Sequence, residues 1–438
     1  MRQTNDLPFA LVMLVLLVGL GAGLLALTRH HRENLAQQMH IFLAAMGVRF
    51  LAALVIYEFG LIEILRDEDG SGWYAGVVLV QKWAQMKVGW LDLPAALSGA
   101  FFEQQQGYRY LLGALFFITD APARMPAAVL NCFFGALTAV FAYRIADSIF
   151  SRWVAIRVGW AVCFFPSLII WSAQTLKEPV VILLETVALY ACVHLKLKGF
   201  SFRYILVCGA AILLLLPFRF YAAYLTAAAA LLALVVPQIG RRWTSGYAAL
   251  AILALVVPLT ASSGILARSE AQFERFNLDY VRDVQRGLAA GQGSGVVTNY
   301  DLNSPLGLLM AVGVGGAHLL LAPFPWQLGG ASLRMLLTLP ETLVWWWLVF
   351  YGLIPGVMYA VRRRFGEVQP LLIFILGLGL LYSLLFGNVG LIVRQRAQLL
   401  PWLLIFVMVG WEQRLLRKAQ RRQQGAFDSS ALARARQA

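Results

Sequence analysis

The sequence has few charged residues for its length. Of 438 residues, 13% are Asp, Glu, Lys or Arg, whereas 60% are hydrophobic and the mean hydropathy is +0.71. A soluble globular protein carries roughly a quarter charged residues, so the composition argues against a soluble enzyme. Apolar stretches near the ~20 residues that cross a bilayer as a helix recur along the chain. Because backbone groups in lipid must bond internally, the sequence predicts an all-α polytopic membrane protein.

Patterns typical of metal sites and disulfides are also absent from the sequence. The four cysteines, Cys132, Cys163, Cys192 and Cys208, lie in apolar stretches without CxxC spacing and are interpreted as small buried residues. The five histidines form no ligand set. No internal repeat is visible, which argues against the inverted-repeat transporter folds.

The excess positive charge is distributed as the positive-inside rule expects. The net charge is +14, and much of it lies in short segments that the rule places in the cytoplasm. Nucleic-acid binding is therefore not the preferred interpretation. The intervening segments hold most of the carboxylates and are predicted to face outward. The basic segments are 29–32, 144–157, 196–203, 241–242, 362–364 and the tail from Arg414.

About eleven apolar stretches satisfy the length rule and alternate with these loops. The first is too long for the core of a signal peptide and is interpreted as a retained span. The basic loops predict an outer N-terminus and a cytoplasmic C-terminus, and the odd number of spans agrees with a cytoplasmic basic tail. The predicted spans are Leu7–Leu27, 41–64, 126–146, 158–173, 180–195, 204–217, 221–236, 247–266, 342–361, 369–386 and 399–411.

One apolar stretch does not fit this alternation. Residues 306–321 are apolar enough to span, yet no basic loop follows them. A re-entrant or interfacial hairpin over 306–340 would begin and end outside, as the charges require. The alternative is a full span followed by a short return helix over 332–339.

Two long segments are predicted on the outer side. Residues 65–125 contain an amphipathic stretch, 73–90, with tryptophan at both ends, which is typical of a helix lying at the membrane interface. A second short helix is predicted over 108–118. The other outer segment, 265–305, is polar and is predicted to form a mobile loop or lid.

The chain is accordingly divided into four predicted parts. An N-terminal span with a basic loop occupies 1–40, and a first transmembrane module occupies 41–236. A second transmembrane module follows at 237–412. The basic tail, 413–438, is polar and is predicted to be disordered.

Three adjacent carboxylates follow the second predicted span. Asp67, Glu68 and Asp69 repel one another, which raises their proton affinity and allows one of them to accept a proton from a hydroxyl. The same triplet could hold a hard divalent cation such as Mg or Mn. The simpler interpretation of these residue types is a solvated acidic loop.

A second charged pair lies in a very short outer loop. Lys177 and Glu178 precede Pro179, which favours the first turn of a helix and fixes Glu178 at a helix start. The simpler interpretation is a carboxylate that the helix dipole stabilises.

Three arginines lie at other outer helix ends, against the positive-inside pattern. Arg219 is in a tight turn, and Arg394 and Arg396 precede the last predicted span. The guanidinium fork suits phosphate oxygens, although a single arginine could simply reach lipid headgroups. Together with the carboxylates, the three predict an outward-facing site for a phosphorylated, lipid-linked substrate.

Three further charges, Arg49, Glu58 and Glu185, lie inside predicted spans. Charges at that depth are costly and are usually paired. They form no series along the chain that would indicate a proton-coupled transporter.

This arrangement resembles the GT-C superfamily of membrane glycosyltransferases, in particular bacterial relatives of protein mannosyltransferases and of the lipid A aminoarabinose transferase. The resemblance covers about residues 41–236. After the acidic motif come AAVLNCFFGALTAVFAYRIADSIF at 127–150, PSLIIWS at 166–172 and TLKEP at 175–179. The later Pro-Phe-Pro-Trp and Arg-Gln-Arg elements are loosely similar to exopolysaccharide-linked members.

The resemblance implies a polyprenyl-phosphate or polyprenyl-diphosphate sugar donor and a glycan or lipid acceptor at the bacterial cytoplasmic membrane. One carboxylate of the 67–69 triplet is then the catalytic base, and the 177–178 pair is a second site. The three outer arginines are candidates for the lipid phosphate. The family motif is usually Asp-Glu or a single Asp close to an aromatic residue, so the three acids here leave the register open. Metal use stays open as well.

Three functions follow from these observations. The leading hypothesis is an inverting GT-C-like glycosyltransferase in polysaccharide or surface-glycan synthesis. The second is an O-antigen or exopolysaccharide polymerase or ligase that would need Arg282, Arg286, Arg394 and Arg396 but not the acidic triplet. The third is a non-enzymatic flippase or transporter for lipid-linked oligosaccharides, which should have polar residues lining several spans.

Overall fold

The computed structural model describes residues 7–28, 32–65, 69–103, 105–236, 244–262, 277–290, 294–297, 300–328 and 339–435. Within these ranges the regular structure is helical, apart from an isolated antiparallel bridge between Gly295 and Asn388. The all-α prediction is therefore confirmed for the described part of the chain.

Helix α7 is the centre of the first part of the fold, because α1, α2, α8 and α10 all pack against it. Small residues among its buried positions, including six alanines and Gly135, allow this close approach. The helices are α1 (Leu7–Leu27), α2 (Arg32–Glu58), α3 (Ile62–Leu65), α4 (Asp69–Gln85), α5 (Leu93–Ser98), α6 (Gly107–Thr119), α7 (Arg124–Ile149), α8 (Arg152–Phe164), α9 (Pro166–Ser172), α10 (Glu178–Lys198), α11 (Phe202–Leu215), α12 (Phe220–Val235) and α13 (Thr244–Ser262).

The second part of the fold packs mainly around the long helix Ile354–Leu384, which contacts both Pro305–Leu321 and the last helix, Leu400–Ala435. A π-helical turn, Val349–Leu353, joins Leu339–Leu348 to Ile354–Leu384 and lies against the last helix. The helices are α14 (Leu278–Ala289), α15 (Pro305–Leu321), α16 (Leu339–Leu348), α17 (Ile354–Leu384), α18 (Val389–Arg396) and α19 (Leu400–Ala435).

Five helices among the described residues are long and apolar enough to cross a membrane, and two bent helix pairs raise the number to seven if each is one span. Four more apolar helices are shorter than the ~20 residues that a bilayer requires. The protein therefore has the character of an α-helical membrane protein with five to seven candidate spans. The five are Leu7–Leu27, Leu35–Glu58, Arg124–Ile149, Glu178–Lys198 and Leu339–Leu384.

Two predicted spans are interrupted in the structure. The span predicted at 41–64 ends early, because α2 stops at Glu58 and Gly60 turns the chain with a φ of +65°. The span predicted at 158–173 is broken at Pro166, and α8 and α9 meet there at 53°. Proline has no N–H to bond the carbonyl four residues earlier, so the helix cannot continue unchanged.

Buried Arg49 replaces the hydrogen bonds that this break removes. Its guanidinium donates to the carbonyl oxygens of Val162 and Cys163, both at 3.0 Å, in the last turn of α8. It also donates to Ala45 on its own helix at 3.2 Å. The prediction that a charge at this depth is paired is confirmed, and its partners are carbonyl groups.

The predictions for the polar segments are partly wrong. Helix α19 runs from Leu400 to Ala435, so the predicted span 399–411 is only its first part. The tail, predicted to be disordered, is helical as far as Ala435. Its Ala, Arg, Gln and Leu content favours helix formation. The predicted 73–90 helix is α4, which begins and ends earlier, and the predicted 108–118 helix is confirmed as α6. The predicted mobile loop at 265–305 contains α14.

The chain reverses direction at Arg364, which has a non-helical φ of −138°. Going along the chain before Arg364, residues contact progressively later positions of the 396–406 segment. After Arg364, they contact progressively earlier positions of that segment. The two halves of Leu339–Leu384 therefore run antiparallel, as the separate predicted spans 342–361 and 369–386 require. The contacts in chain order are Trp345–Arg396, Gly356–Phe406, Phe374–Trp402 and Tyr382–Gln398.

The described basic segments meet at one end of the bundle, which confirms their predicted grouping. The opposite end holds the α4–α6 region and the starts of α10 and α12. Which end faces the cytoplasm stays a prediction. Contacts at the basic end are Arg144 to Gln38 at 2.8 Å, Arg364 to the Ile149 carbonyl at 2.7 Å, Ser151 to Glu412, and Lys196 to the Val236 carbonyl.

The contacts of α15 favour the predicted hairpin. Gly315, in its second half, lies against Ser383 at the end of α17. The indole N–H of Trp345, in the second half of α16, donates to the Leu320 carbonyl at 2.6 Å. The end of α15 thus lies beside α16, whereas a full crossing would separate the two. The predicted return helix at 332–339 falls almost wholly outside the described residues.

Candidate functional site

A buried ion cluster links three segments that are far apart in the sequence. Glu178 is the first residue of α10, Arg219 precedes α12, and Arg394 lies in α18. Arg219 donates to Glu178 Oε1 at 2.7 Å. Arg394 donates from Nε to Oε1 at 3.1 Å and from Nη2 to Oε2 at 3.0 Å. None of the three residues is more than 7% exposed, so this is a desolvated cluster rather than a surface ion pair.

Polar contacts continue from this cluster into the bundle. Arg219 also donates to the Tyr382 hydroxyl at 3.0 Å and to Gln398 Oε1 at 2.7 Å. The Gln398 amide in turn donates to Glu185, a charge that the sequence predicts to be paired. The network fixes α10, α12 and α17 relative to the junction between α18 and α19.

The contacts of Glu178 define its role in the cluster. Two guanidinium groups occupy its carboxylate, so it positions Arg219 and Arg394 and is poorly placed to accept a substrate proton. Burying an unpaired cation is costly, and each arginine therefore depends on this carboxylate. The second predicted site is thus an anchor for two arginines.

A cavity of about 170 Å³ lies beside the cluster, at the same end of the bundle. Cationic side chains from three segments line it: Lys177 before α10, Arg109 on α6 and Arg394 on α18. Among the described residues that line it there is no carboxylate. Polar residues that also line it are Gln105, Gln106, Tyr108 and Thr175, beside Gly72, Ala75 and Leu176. The cavity is therefore a small polar site with positive charge on several sides.

Hydrogen bonds from two residues, Gly107 and Asn131, hold the walls of this cavity together. The Gly107 N–H, at the start of α6, donates to the Pro217 carbonyl at 2.9 Å. The side-chain amide of Asn131 donates to Tyr108 Oη and to the carbonyls of Gln174 and Leu176. Asn131 of α7 therefore fixes the position of the loop that precedes Glu178.

Arg109 is oriented by a carboxylate outside the cavity. Its Nη1 lies 3.2 Å from Glu103 Oε2, while the Tyr110 hydroxyl donates to Glu103 Oε1 at 2.9 Å. Burial of the Tyr110 ring, together with this hydrogen bond, raises the pKa of Tyr110 to about 12. Tyr110 is therefore a neutral donor at physiological pH, and it holds the carboxylate toward Arg109.

The acidic triplet lies next to this cavity along the chain. Asp67 and Glu68 are outside the described residues, and Asp69 is the first residue of α4. One turn later, Gly72 lines the cavity, and a Cβ there would lie 3.0 Å from the Thr175 carbonyl. Among the described residues, no group of three His, Cys, Asp or Glu side chains could hold a metal ion. A metal at the triplet stays an open prediction.

Arg396 is separated from the other two outer arginines. Its Nη1 donates to the carbonyls of Ala322 at 2.8 Å and Leu320 at 3.3 Å, and its guanidinium lies 5.8 Å from the Trp345 ring. These contacts attach the end of α15 to α18. The structure thus places Arg394 at the cavity, Arg219 behind it and Arg396 at the hairpin.

The arginines of the polymerase alternative lie on α14. Arg282 pairs with Asp279 at 2.8 Å and with Asp301 at 3.4 Å, and Arg286 follows in the last turn of the same helix. Two carboxylates therefore already engage Arg282.

Several residues of this site are not among those predicted from the sequence. Tyr108, Arg109, Asn131, Tyr382 and Gln398 all hold or line it. Asn131 within an apolar stretch is the one clear signal, because an amide at that depth needs partners.

No protein-family model matches the sequence, and a search of curated proteins finds no match. The function is therefore inferred from the chemistry of this site.

Proposed function

We propose that this chain is a membrane glycosyltransferase of the GT-C type. It transfers a sugar or glycan from a polyprenyl-phosphate or polyprenyl-diphosphate donor to an acceptor at the outer face of a bacterial cytoplasmic membrane. One observation carries the proposal: a cavity lined by Lys177, Arg109 and Arg394 lies where the helix of the acidic motif begins.

The charge of the cavity supports a phosphate ligand. Arginine binds phosphate oxygens through a planar fork and lysine binds them as a point charge, and both are present here. Glu178 and Glu103 hold the two arginines from outside the lining. The guanidinium groups are thus held in place before a ligand enters, which reduces the entropy cost of binding.

The surroundings of the cavity support a lipid-linked donor. The site lies at the end of helices long enough to cross a membrane. Helix α4, which lines the cavity through Gly72 and Ala75, exposes Tyr74 and Val78 on a neighbouring face. An amphipathic helix of this kind lies at the membrane interface, where a polyprenyl chain could reach the site without leaving lipid.

The proposed reaction is a displacement at the anomeric carbon of the donor sugar. A carboxylate of the 67–69 triplet accepts the proton of the acceptor hydroxyl. At the same time, the oxygen of that hydroxyl forms a new bond to the anomeric carbon. The bond between the anomeric carbon and the phosphate oxygen breaks, and the polyprenyl phosphate or diphosphate leaves with that electron pair. Lys177, Arg109 and Arg394 stabilise the charge that gathers on the leaving phosphate.

Single replacements in the acidic triplet test the proposal. We expect at least one of Asp67→Asn, Glu68→Gln and Asp69→Asn to lower glycan assembly in cells by roughly 10²–10⁴-fold, the usual contribution of a general base. Glu63→Gln, a nearby exposed carboxylate on α3, is the control. Full glycan assembly in all three variants at normal protein levels would contradict the proposal.

A further inference from the structure

A second, larger cavity lies at the opposite end of the bundle, where the basic segments meet. Its volume is about 910 Å³, and it forms a groove between the start of α17 and the extension of α19. Among the described residues that line it, there are seven cations and no carboxylate. The cations are Arg362, Arg363, Arg414, Arg417, Lys418, Arg421 and Arg422.

The helical spacing of these cations concentrates their charge. On α19, positions 414, 417, 418, 421 and 422 fall on one face of the helix, because they repeat at intervals of three and four residues. Arg362 and Arg363 face them from the other wall. Like charges at such spacing repel one another, so an anion in the groove would relieve the repulsion.

The floor of the groove is apolar and aromatic. Tyr351, Pro355 and Met358 line it on the side of the membrane-crossing part of the helices. The Arg414 guanidinium lies 4.3 Å from the centroid of the Tyr351 ring, and the Trp347 ring stacks with Tyr351 at 4.8 Å between centroids. Aromatic residues of this kind mark the headgroup level of a bilayer.

We propose that this groove binds an anionic phospholipid of the adjacent leaflet. The lipid phosphate lies among the cations, and the glycerol and acyl chains follow the apolar floor toward the membrane. The combination of a cationic wall with an apolar floor favours an amphiphile over a free phosphate ion. Each Lys or Arg near an anionic membrane surface adds to binding, and seven are present here.

Binding to the purified full-length protein in detergent tests this inference. The probes are phosphatidylglycerol, phosphatidylcholine and inorganic phosphate, with bound lipid counted by native mass spectrometry and stability followed as the thermal unfolding midpoint. We expect phosphatidylglycerol to bind at least about tenfold more tightly than phosphatidylcholine and to raise the unfolding midpoint. Inorganic phosphate at equal concentration should leave the midpoint unchanged.

The groove variant is Arg414→Gln, Arg417→Gln and Arg421→Gln together, and it should weaken phosphatidylglycerol binding at least about tenfold. A matched control removes three exposed arginines at the same end but outside the groove, Arg152, Arg157 and Arg203. The control should bind as the unaltered protein does.

A second variant, Arg362→Gln with Arg363→Gln, changes the other wall and should weaken binding even if the first variant folds poorly. Equal losses in the groove and control variants would overturn the inference. An effect of inorganic phosphate as large as that of the lipid would also overturn it.

Discussion

Arg394 binds both oxygens of the Glu178 carboxylate, with Nε 3.1 Å from Oε1 and Nη2 3.0 Å from Oε2. This contact joins residues 216 positions apart and ties α18 to the start of α10. Because Arg394 also lines the cavity, the carboxylate determines where one of the cavity's cations lies. Glu178 therefore serves both the stability of the bundle and the geometry of the site.

Replacing Glu178 should destabilise the protein strongly. Glu178→Ala leaves two buried guanidinium groups without their carboxylate, which costs about 3–5 kcal/mol in free energy of unfolding. Thermal unfolding in detergent measures the effect, together with the amount of protein in the membrane fraction. The matched control is Lys177→Gln, which changes the neighbouring cavity residue but leaves the buried cluster intact. Equal unfolding midpoints in the two variants would show that the cluster does not support the fold.

The candidate site and the basic segments lie at opposite ends of the bundle. This arrangement predicts which introduced cysteines a reagent outside the cell can reach. Ala95, on α5, is exposed at the end that holds the candidate site, and Arg203 is exposed at the basic end. In intact cells, a membrane-impermeant maleimide should label Ala95→Cys, and it should label Arg203→Cys only after the membrane is opened. The four native cysteines are buried, so the unaltered protein gives the background. Labelling of both variants in intact cells would contradict the proposed orientation.

The hydrogen bonds of Arg49 predict a large loss of stability on its removal. Arg49→Met leaves the Val162 and Cys163 carbonyls at the broken helix without donors, and each such loss costs about 1–3 kcal/mol. The exposed Arg157 offers a control for the change in composition, as Arg157→Met leaves those carbonyls bonded. The thermal unfolding midpoint should fall in the first variant and stay near that of the unaltered protein in the second.

Apolar length and charge predicted much of the fold. The first span is α1 residue for residue, and the basic loops group at one end as the charge rule indicates. The breaks were harder to predict, because apolar content does not change at Gly60 or Pro166 and only backbone chemistry ends the helix there. The prediction of a disordered tail is wrong as far as Ala435, because polarity alone does not indicate disorder where the residues favour a helix.

The candidate site was predicted as a set of residues but not as an arrangement. Glu178, Arg219 and Arg394 stood out because charge at an outer helix end is unusual. Their pairing depends on how α10, α12 and α18 pack, and no periodicity in the sequence encodes contacts across 41 or 216 positions. For the same reason, Arg396 looked equivalent to Arg394, although its guanidinium points to the α15 carbonyls.

Direct transfer of sugar from lipid-linked donors tests the central claim. The purified protein would be placed in proteoliposomes with radiolabelled lipid-linked sugars extracted from the cells that produce it. We expect the radiolabelled sugar to move from the polyprenyl lipids to an acceptor, with release of polyprenyl phosphate or diphosphate. The variant with Asp67→Asn, Glu68→Gln and Asp69→Asn together should show neither. Equal transfer by the variant, or no transfer by the unaltered protein with all donors and acceptors present, would contradict the account.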